Sequence, residues 1–185
     1  MDKSNKRWSI IEILSHSRHD WMNKLQLLKG NLALKKYDRA KDMIDEIVME
    51  AQHESKLCNL KMNQFAEYIL TYNWMNHSYT IEYFILGDVM DLSNFDKSMT
   101  NWVQTFFTLI EEAVEPEGDN HLMLTIETDQ HQTRFLFDFH GILKESKELR
   151  AFLSTSHEPL LNLKEVSYNR SELLVKIVVK DEQLI

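Results

Sequence analysis

The chain has 185 residues, which suffices for one domain with a sizeable core or for a helical module joined to a small α/β domain. Its 29 Asp and Glu residues outnumber its 21 Lys and Arg residues, so the net charge is −8. Because no dense run of Lys and Arg is present, the composition argues against nucleic acid or an anionic lipid surface as a partner.

From Trp8 to about Leu34, apolar residues recur in alternating steps of three and four, which predicts an amphipathic helix. One polar residue, Arg18, interrupts this apolar stripe. Its members are Ile11, Leu14, Trp21, Leu25, Leu28 and Leu32. After a break, Asp38 is the expected N-cap of a second helix. A second stripe, which predicts one long helix, comprises Met43, Ile44, Ile47, Ala51, Cys58, Met62, Phe65 and Ile69.

Two long helices joined by a few residues form a hairpin, but neither helix can cover the other's stripe completely. Packing two hairpins into a four-helix bundle, as a homodimer, is the simplest way to bury both stripes. The alternative, that the second half of the chain covers the stripe, stays open at this point.

After about Asn76 the periodicity changes to that of a compact α/β sandwich. The predicted elements are strands at 79–86, 121–128, 133–139 and 172–179 and helices at 97–114 and 144–153. The sequence therefore predicts an α+β protein, with a helical hairpin for dimerisation over residues 1–76 and an α/β domain over residues 77–185. No linker rich in Pro, Gly or Ser marks the boundary.

His19 lies on the polar face of the first helix, about 140° from the centre of the apolar stripe at about 100° per residue. The same broad face carries Glu12, Ser15, His16, Asn23, Gln26 and Gly30. An exposed histidine is most often an ordinary solvated side chain. A metal site at His16, His19 and Asp20 lacks further ligands of suitable spacing, and Cys58, on an apolar stripe, makes a poor nucleophile.

The run SHSRHDWMNKLQ over residues 15–26 resembles the phosphoacceptor box of sensor histidine kinases, His-(Asp/Glu)-x-x-Asn-x-Leu. The wider run LLKGNL over residues 27–32, YDR at 37–39, ESKL at 54–57 and DFHG at 138–141 resembles the sporulation initiation phosphotransferase B family of spore-forming bacilli. The likeness covers most of the chain.

The resemblance implies a phosphorelay enzyme that carries a phosphoryl group on His19. The donor would be the aspartate of a single-domain response regulator, and the acceptor that of a sporulation transcription regulator. The chain would need no cofactor of its own, because Mg²⁺ comes with the bound regulator. By position, Asp20 is expected to orient the ring and Arg18 or Lys24 to offset phosphate charge. Asn23, Gln26 and Gly30 are expected to contact the regulators.

The resemblance also implies that the second domain has the histidine-kinase ATPase fold without its ATP site. The run TLIEEAVE over residues 108–115 is similar to the kinase helix, but Glu112 replaces the magnesium-binding asparagine. Asp138 keeps one acidic position of the next motif, whereas its paired glycines are missing and no glycine follows Gly141. Nucleotide would thus lose a metal ligand and a backbone cradle.

The single cysteine, the polar start and the lack of about 18 consecutive apolar residues favour a cytoplasmic protein without a membrane segment. Two rival functions remain for comparison. A non-catalytic dimeric adaptor would have no need of the exposed histidine in its box, and a working ATP-dependent kinase conflicts with Glu112 and the missing glycines.

Overall fold

The computed structural model describes residues 8–155 and 159–180. The chain divides into two compact units, Met1–Gln52 and His53–Ile185. Helices dominate the first unit, and a five-stranded sheet with helices forms the second. The predicted α+β class is confirmed.

The first unit is built on an antiparallel pair of helices, α1 (Ile10–Ala33) and α2 (Tyr37–Asn59), of which α2 continues into the second unit. In the turn between them, Leu34 N–H donates to the carbonyl of Gly30 over 3.0 Å, and Lys35 adopts a left-handed φ of 57°. The Asn31 amide contacts the sulfur of Met43 at 3.2 Å across the pair. The helical hairpin expected from the two apolar stripes is present.

The start of α2 differs from the prediction by two residues. The helix begins at Tyr37, and Ala40 N–H donates to the carbonyl of Lys36 over 3.0 Å. Asp38 therefore lies in the first turn and is not the N-cap. A carboxylate there still interacts favourably with the helix dipole, so the sequence signal marked the correct end of the helix.

The predicted long second helix is wrong, because it divides into α2 and a separate helix, α3 (Asn63–Tyr72). Lys61 breaks the helix with a φ of 62°. The carboxylate of Asp96 then accepts the backbone N–H groups of Gln64 and Phe65 over 3.1 and 2.9 Å and so caps α3 from a distant part of the chain. No Gly or Pro marks this break in the sequence.

The second unit contains one mixed sheet in the order β1-β2-β3-β5-β4. The strands are β1 (Thr80–Gly87), β2 (His121–Thr128), β3 (Thr133–His140), β4 (Asn162–Tyr168) and β5 (Glu172–Val179). β1 runs parallel to β2, and the other neighbours are antiparallel. The predicted strands are confirmed, and β4 was missed.

Helices cover one face of this sheet. They are α3, α4 (Asp96–Ala113) and α5 (Lys147–Ser154), and a short 3₁₀ turn (Ser93–Phe95) precedes α4. Trp102 and Phe106 of α4 pack on Phe137 of β3 with ring centroids 5.5 and 5.6 Å apart. Phe65 of α3 meets Phe135 of β3 edge-on at 5.9 Å. The predicted α/β sandwich is confirmed.

The helix α3 belongs to the sheet unit, because its residues Phe65, Ala66, Ile69 and Tyr72 are buried in the same core as the strands. The predicted boundary near residue 76 assigns this helix to the helical half instead. The apolar face of α3 is legible in the sequence, but the surface on which it packs is not. Among residues 8–155 and 159–180, no helix is long and apolar enough to cross a membrane.

Candidate functional site

A capping box fixes the start of α1 about two and a half helical turns before His19. The Ser9 hydroxyl accepts the backbone N–H of Glu12 over 3.2 Å, and the Glu12 carboxylate accepts the backbone N–H of Ser9 over 2.9 Å. The ring of Trp8 stands edge-on to that of His16, with centroids 5.1 Å apart. His16 is therefore packed and partly covered.

His19 is the exposed histidine of the motif, with 72% of its side chain accessible. Its Nδ1 atom lies 3.4 Å from a carboxylate oxygen of Asp20 and 3.3 Å from the amide nitrogen of Asn23. Within the part of the chain that the structure describes, both hydrogen-bonding contacts of the ring go to Nδ1. Nε2 is consequently the ring nitrogen open to a reacting group.

The remaining residues predicted for the site do not contact the ring in the described structure. Arg18, Gln26 and Gly30 are exposed. The ammonium group of Lys24 pairs with the carboxylate of Glu50 on α2 and is engaged within the hairpin. Sequence reasoning missed Glu50, since no local pattern marks a partner on the opposite helix.

The glycine at position 30 has no packing reason within the described chain. A Cβ built there would meet no atom within 4 Å. Glycine in a helix interior destabilises the helix by about 0.5–1 kcal/mol relative to alanine. At Gly30, three turns beyond His19 on the polar side of α1, no side chain projects from the helix, so its backbone is accessible.

Cys58 is not an activated nucleophile. Partial burial of the thiol, followed in importance by the Glu54 carboxylate, raises the pKa of Cys58 above its ordinary value. The neutral thiol consequently dominates near neutral pH, whereas nucleophilic attack requires the thiolate. Among the described residues, no group of three or more His, Cys, Asp or Glu side chains is placed to hold a metal ion.

The two acidic residues that correspond to kinase motifs are on separate faces of the second unit. Glu112 is exposed on α4, which packs on the sheet face that carries Phe137. Asp138 follows Phe137 in β3, so its side chain extends from the other face, where it lies 3.3 Å from Nε2 of His140. These two carboxylates do not converge on a common site.

Gly141, which lies in the run that resembles the second kinase motif, has a structural role. Asn120 is buried, and its side chain bonds the carbonyls of Ser78 and Glu115 and the N–H of Ile142 over 3.2, 2.8 and 2.9 Å. A Cβ at Gly141 would lie 2.2 Å from the Asn120 side-chain oxygen. Gly141 is therefore needed to make room for this buried polar junction.

Two protein-family domains together match nearly the whole chain. Residues 1–60 match the α-helical domain of the SpoOB-type sensor kinase family. Residues 61–180 match the C-terminal domain of sporulation initiation phosphotransferase B. A curated relative, sporulation initiation phosphotransferase B of Bacillus subtilis (strain 168), is 43% identical over 169 residues, which cover 83% of this chain and 88% of the relative.

Solved structures of histidine kinases resemble the chain more distantly. The blue-light activated histidine kinase of Erythrobacter litoralis EL346 aligns with a TM-score of 0.47 and 12% identity over 97% of this chain and 62% of that chain. Histidine kinase ThkA, in complex with response regulator protein TrrA, aligns with a TM-score of 0.40 and 12% identity over 91% and 61%. This chain spans less than two thirds of the length of either kinase chain.

The family assignment rests on the two domain matches and on the curated relative. The matched residues include the hairpin with His19 as well as the sheet unit with its altered kinase motifs. The chain therefore belongs to the sporulation initiation phosphotransferase B family, and its activity is phosphoryl transfer in the initiation of sporulation.

Proposed function

We propose that His19 takes a phosphoryl group from the aspartate of a phosphorylated response regulator and passes it to the aspartate of a second regulator. The observation that carries this proposal is the geometry of the His19 ring. The ring is 72% exposed, and among the described residues both of its hydrogen-bonding contacts go to Nδ1, which leaves Nε2 open to a reacting group.

The chemistry requires a lone pair on Nε2. When Nδ1 carries the ring proton, its N–H group donates a hydrogen bond to the Asp20 carboxylate. Nε2 is then unprotonated and nucleophilic. Its lone pair attacks the phosphorus of the donor acyl phosphate, an N–P bond forms, and the P–O bond to the donor aspartate breaks. The electron pair of that bond leaves on the aspartate carboxylate. Transfer to the second regulator is the reverse reaction with a new carboxylate.

Charge on the transferring oxygens has to be offset during both steps. In this proposal the regulator supplies Mg²⁺ with its own aspartate site, and this chain contributes no cofactor. Arg18 precedes His19 on the same exposed helix and is the cation that we assign to the phosphoryl oxygens. Lys24 already pairs with Glu50, so we assign it to the stability of the hairpin.

We place the regulator on the polar face of α1 around and beyond His19. Gln26 and Gly30 are exposed there, and Gly30 allows a second backbone to approach the helix closely. In-line transfer demands that the donor aspartate and Nε2 be held in a narrow range of positions, because a displacement of about 1 Å costs on the order of 100-fold in rate.

We also propose that the working unit is a homodimer. No residue of α1 is buried, and its apolar stripe is exposed, with Leu14, Trp21 and Leu25 at 57%, 48% and 49%. Burying one large apolar side chain stabilises association by about 1.5–3 kcal/mol. Several such residues from each chain, packed as a four-helix bundle, provide a large driving force.

The donor in this proposal is a single-domain response regulator, and the acceptor is a sporulation transcription regulator. We assign no ATP-dependent step to the chain. Support for this comes from Glu112 and Asp138, which extend from different faces of the second unit, and from Gly141, which accommodates Asn120. A nucleotide would require these positions to act together.

Incubation with a phosphorylated receiver domain tests the proposal. The wild-type chain should acquire label that is acid-labile and stable to alkali, as expected of phosphohistidine, and His19→Ala should acquire none. His16→Ala serves as the matched control and should retain substantial uptake, because His16 packs against Trp8 rather than facing the donor. Label that survives in His19→Ala would show that the acceptor is elsewhere, and equal loss in both variants would contradict a specific role for His19.

A further inference from the structure

Two side chains of opposite hydrogen-bonding character meet the same nitrogen of His19. Asp20 presents a carboxylate oxygen, which only accepts, 3.4 Å from Nδ1. Asn23 presents its amide NH₂, which only donates, 3.3 Å from Nδ1. A single ring nitrogen can donate a hydrogen bond to the carboxylate when it is protonated, or accept a hydrogen bond from the amide when it is not, but it cannot do both at once. The two contacts therefore belong to two different states of the ring.

We propose that Asn23 is a positioning residue that stabilises phosphorylated His19 in the interval between the two transfers. Asp20 has the opposite effect, because it favours the ring protonated at Nδ1, which is the form that transfers. This inference rests on His19 as the acceptor. It assigns to Asn23 a role in the lifetime of the phosphohistidine, separate from any contact with the regulators.

The proton on Nδ1 determines which of the two forms the ring takes. Before uptake, Nδ1–H donates to Asp20 and Nε2 holds the attacking lone pair. Immediately after attack, the ring carries the phosphoryl group on Nε2 and a proton on Nδ1, so it is a cation. Loss of that proton to solvent yields a neutral ring whose Nδ1 lone pair accepts the Asn23 amide. The neutral ring is a poor leaving group, and the phosphoryl group stays on Nε2.

Release reverses this change. Nδ1 regains a proton, turns from Asn23 to Asp20, and the ring becomes cationic again. The N–P bond then breaks, its electron pair remains on Nε2, and phosphorus bonds to the carboxylate oxygen of the acceptor aspartate. Asp20 thus assists both transfers, and Asn23 opposes premature loss of the phosphoryl group to water between them.

The charges around the ring agree with this assignment. On α1, the ionisable residues next to His19 or one turn before it on the same face are His16, Arg18 and Asp20. Farther along, Lys24 pairs with Glu50 of α2. Asp20 is therefore the anion that contacts Nδ1, and Asn23 is the neutral donor that competes with it.

Asn23→Ala and Asn23→Asp separate the roles. The alanine variant loses the donor, and loss of one hydrogen bond corresponds to a lifetime of phosphorylated His19 about fivefold shorter in the absence of any receiver domain. The aspartate variant adds a second acceptor for Nδ1–H. A rise of one unit in the pKa of Nδ1 corresponds to about tenfold faster loss at a pH above that pKa.

The measurement follows phosphorylated His19 in the isolated full chain across pH, together with the ¹⁵N chemical shift of Nδ1. Asn101→Asp is the matched control, since it makes the same chemical change at an exposed helical asparagine on α4. It should leave both readouts unchanged. A merely structural role for Asn23 would alter folding stability without moving the pKa of Nδ1.

The inference is supported if the lifetime of phosphorylated His19 is longest in the wild type, shorter in Asn23→Ala and shortest in Asn23→Asp. The pKa of Nδ1 should rise in the same order. An unchanged lifetime in Asn23→Ala overturns it, as does a shorter lifetime at an unchanged pKa. Slower phosphoryl uptake by Asn23→Ala, with an unchanged lifetime of phosphorylated His19, also overturns it. That result would mean that the amide oxygen of Asn23 accepts a hydrogen bond from Nδ1–H. Failure of the acceptor assignment itself is distinguishable, because phosphorylation would then survive in His19→Ala.

Discussion

Substitution of Gly30 should separate the stability of the helix from the docking of a regulator. Gly30 lies inside α1, and a Cβ at this position meets nothing within 4 Å. Gly30→Ala should therefore realise the full helix propensity of alanine and stabilise the fold by about 0.5–1 kcal/mol. For a chain of this size, the melting temperature should rise by about 1–4 °C at fixed protein concentration.

Transfer should change in the opposite direction. The larger Gly30→Leu should hold the receiver domain away from α1, and a displacement near 1 Å lowers the rate of transfer to His19 on the order of 100-fold. Rapid-quench kinetics with a phosphorylated receiver domain measures this loss. Phosphoramidate, a small donor that requires no docking, should label the variant at the wild-type rate.

Asn101→Leu, at another exposed helical position on α4, is the matched control and should transfer normally. Wild-type transfer by Gly30→Leu would refute the placement of the regulator on this face. A destabilised Gly30→Ala would refute the inference that the space around Gly30 is open in the working molecule. Loss of phosphoramidate labelling would show that the substitution damages the acceptor rather than docking.

The remaining predictions concern association, nucleotide and folding. Leu25→Glu places a charge in the apolar stripe and should dissociate the dimer and lower its stability together, as followed by light scattering and circular dichroism; a folded wild-type monomer at micromolar concentration would contradict the bundle. Calorimetric titration with Mg-ATP should give no saturable binding in the micromolar range, because Glu112 and Asp138 do not converge; a tight site with label on His19 from ATP would indicate a divergent kinase. Asp96→Ala removes the cap of α3 and should destabilise the second unit by about 0.5–2 kcal/mol in urea unfolding, with Asp96→Asn as the milder control; equal stability of all three proteins would contradict the capping role.

Strong periodicity made most of the fold predictable. The strands at His121–Thr128 and Glu172–Val179 end where the sequence predicts, because alternating apolar residues are buried on one face of the sheet. β4 was missed because it lacks this alternation. It is an edge strand whose residues are mostly exposed, and a register shift between Leu163 and Glu165 interrupts its pairing, so no alternation is legible.

The division of the second helix could not be read from the sequence, because its causes are tertiary. Lys61 adopts a left-handed backbone conformation without the Gly that normally marks one, and the cap of α3 comes from Asp96, far along the chain. The boundary between the units suffers from the same limit. The apolar face of α3 is equally compatible with a bundle and with a sheet.

Part of the candidate site was predictable. The helical angle between His19 and the apolar stripe predicts an exposed ring, and the ring is exposed. The meeting of Asp20 and Asn23 on one ring nitrogen depends on side-chain rotamers, and the engagement of Lys24 by Glu50 depends on the alignment of two helices. Neither is encoded in the spacing of residues along α1.

A single-turnover chase tests whether His19 carries the phosphoryl group from one regulator to the other. The chain, labelled on His19 and freed of donor, is mixed with excess unlabelled second regulator and quenched over time. The account predicts that label leaves His19 and enters the acceptor aspartate in equal amounts, and that His19→Ala supports no passage of label between the two regulators. Label that passes from donor to acceptor in the presence of His19→Ala would contradict the account, because the chain would then act as an adaptor that brings the regulators together.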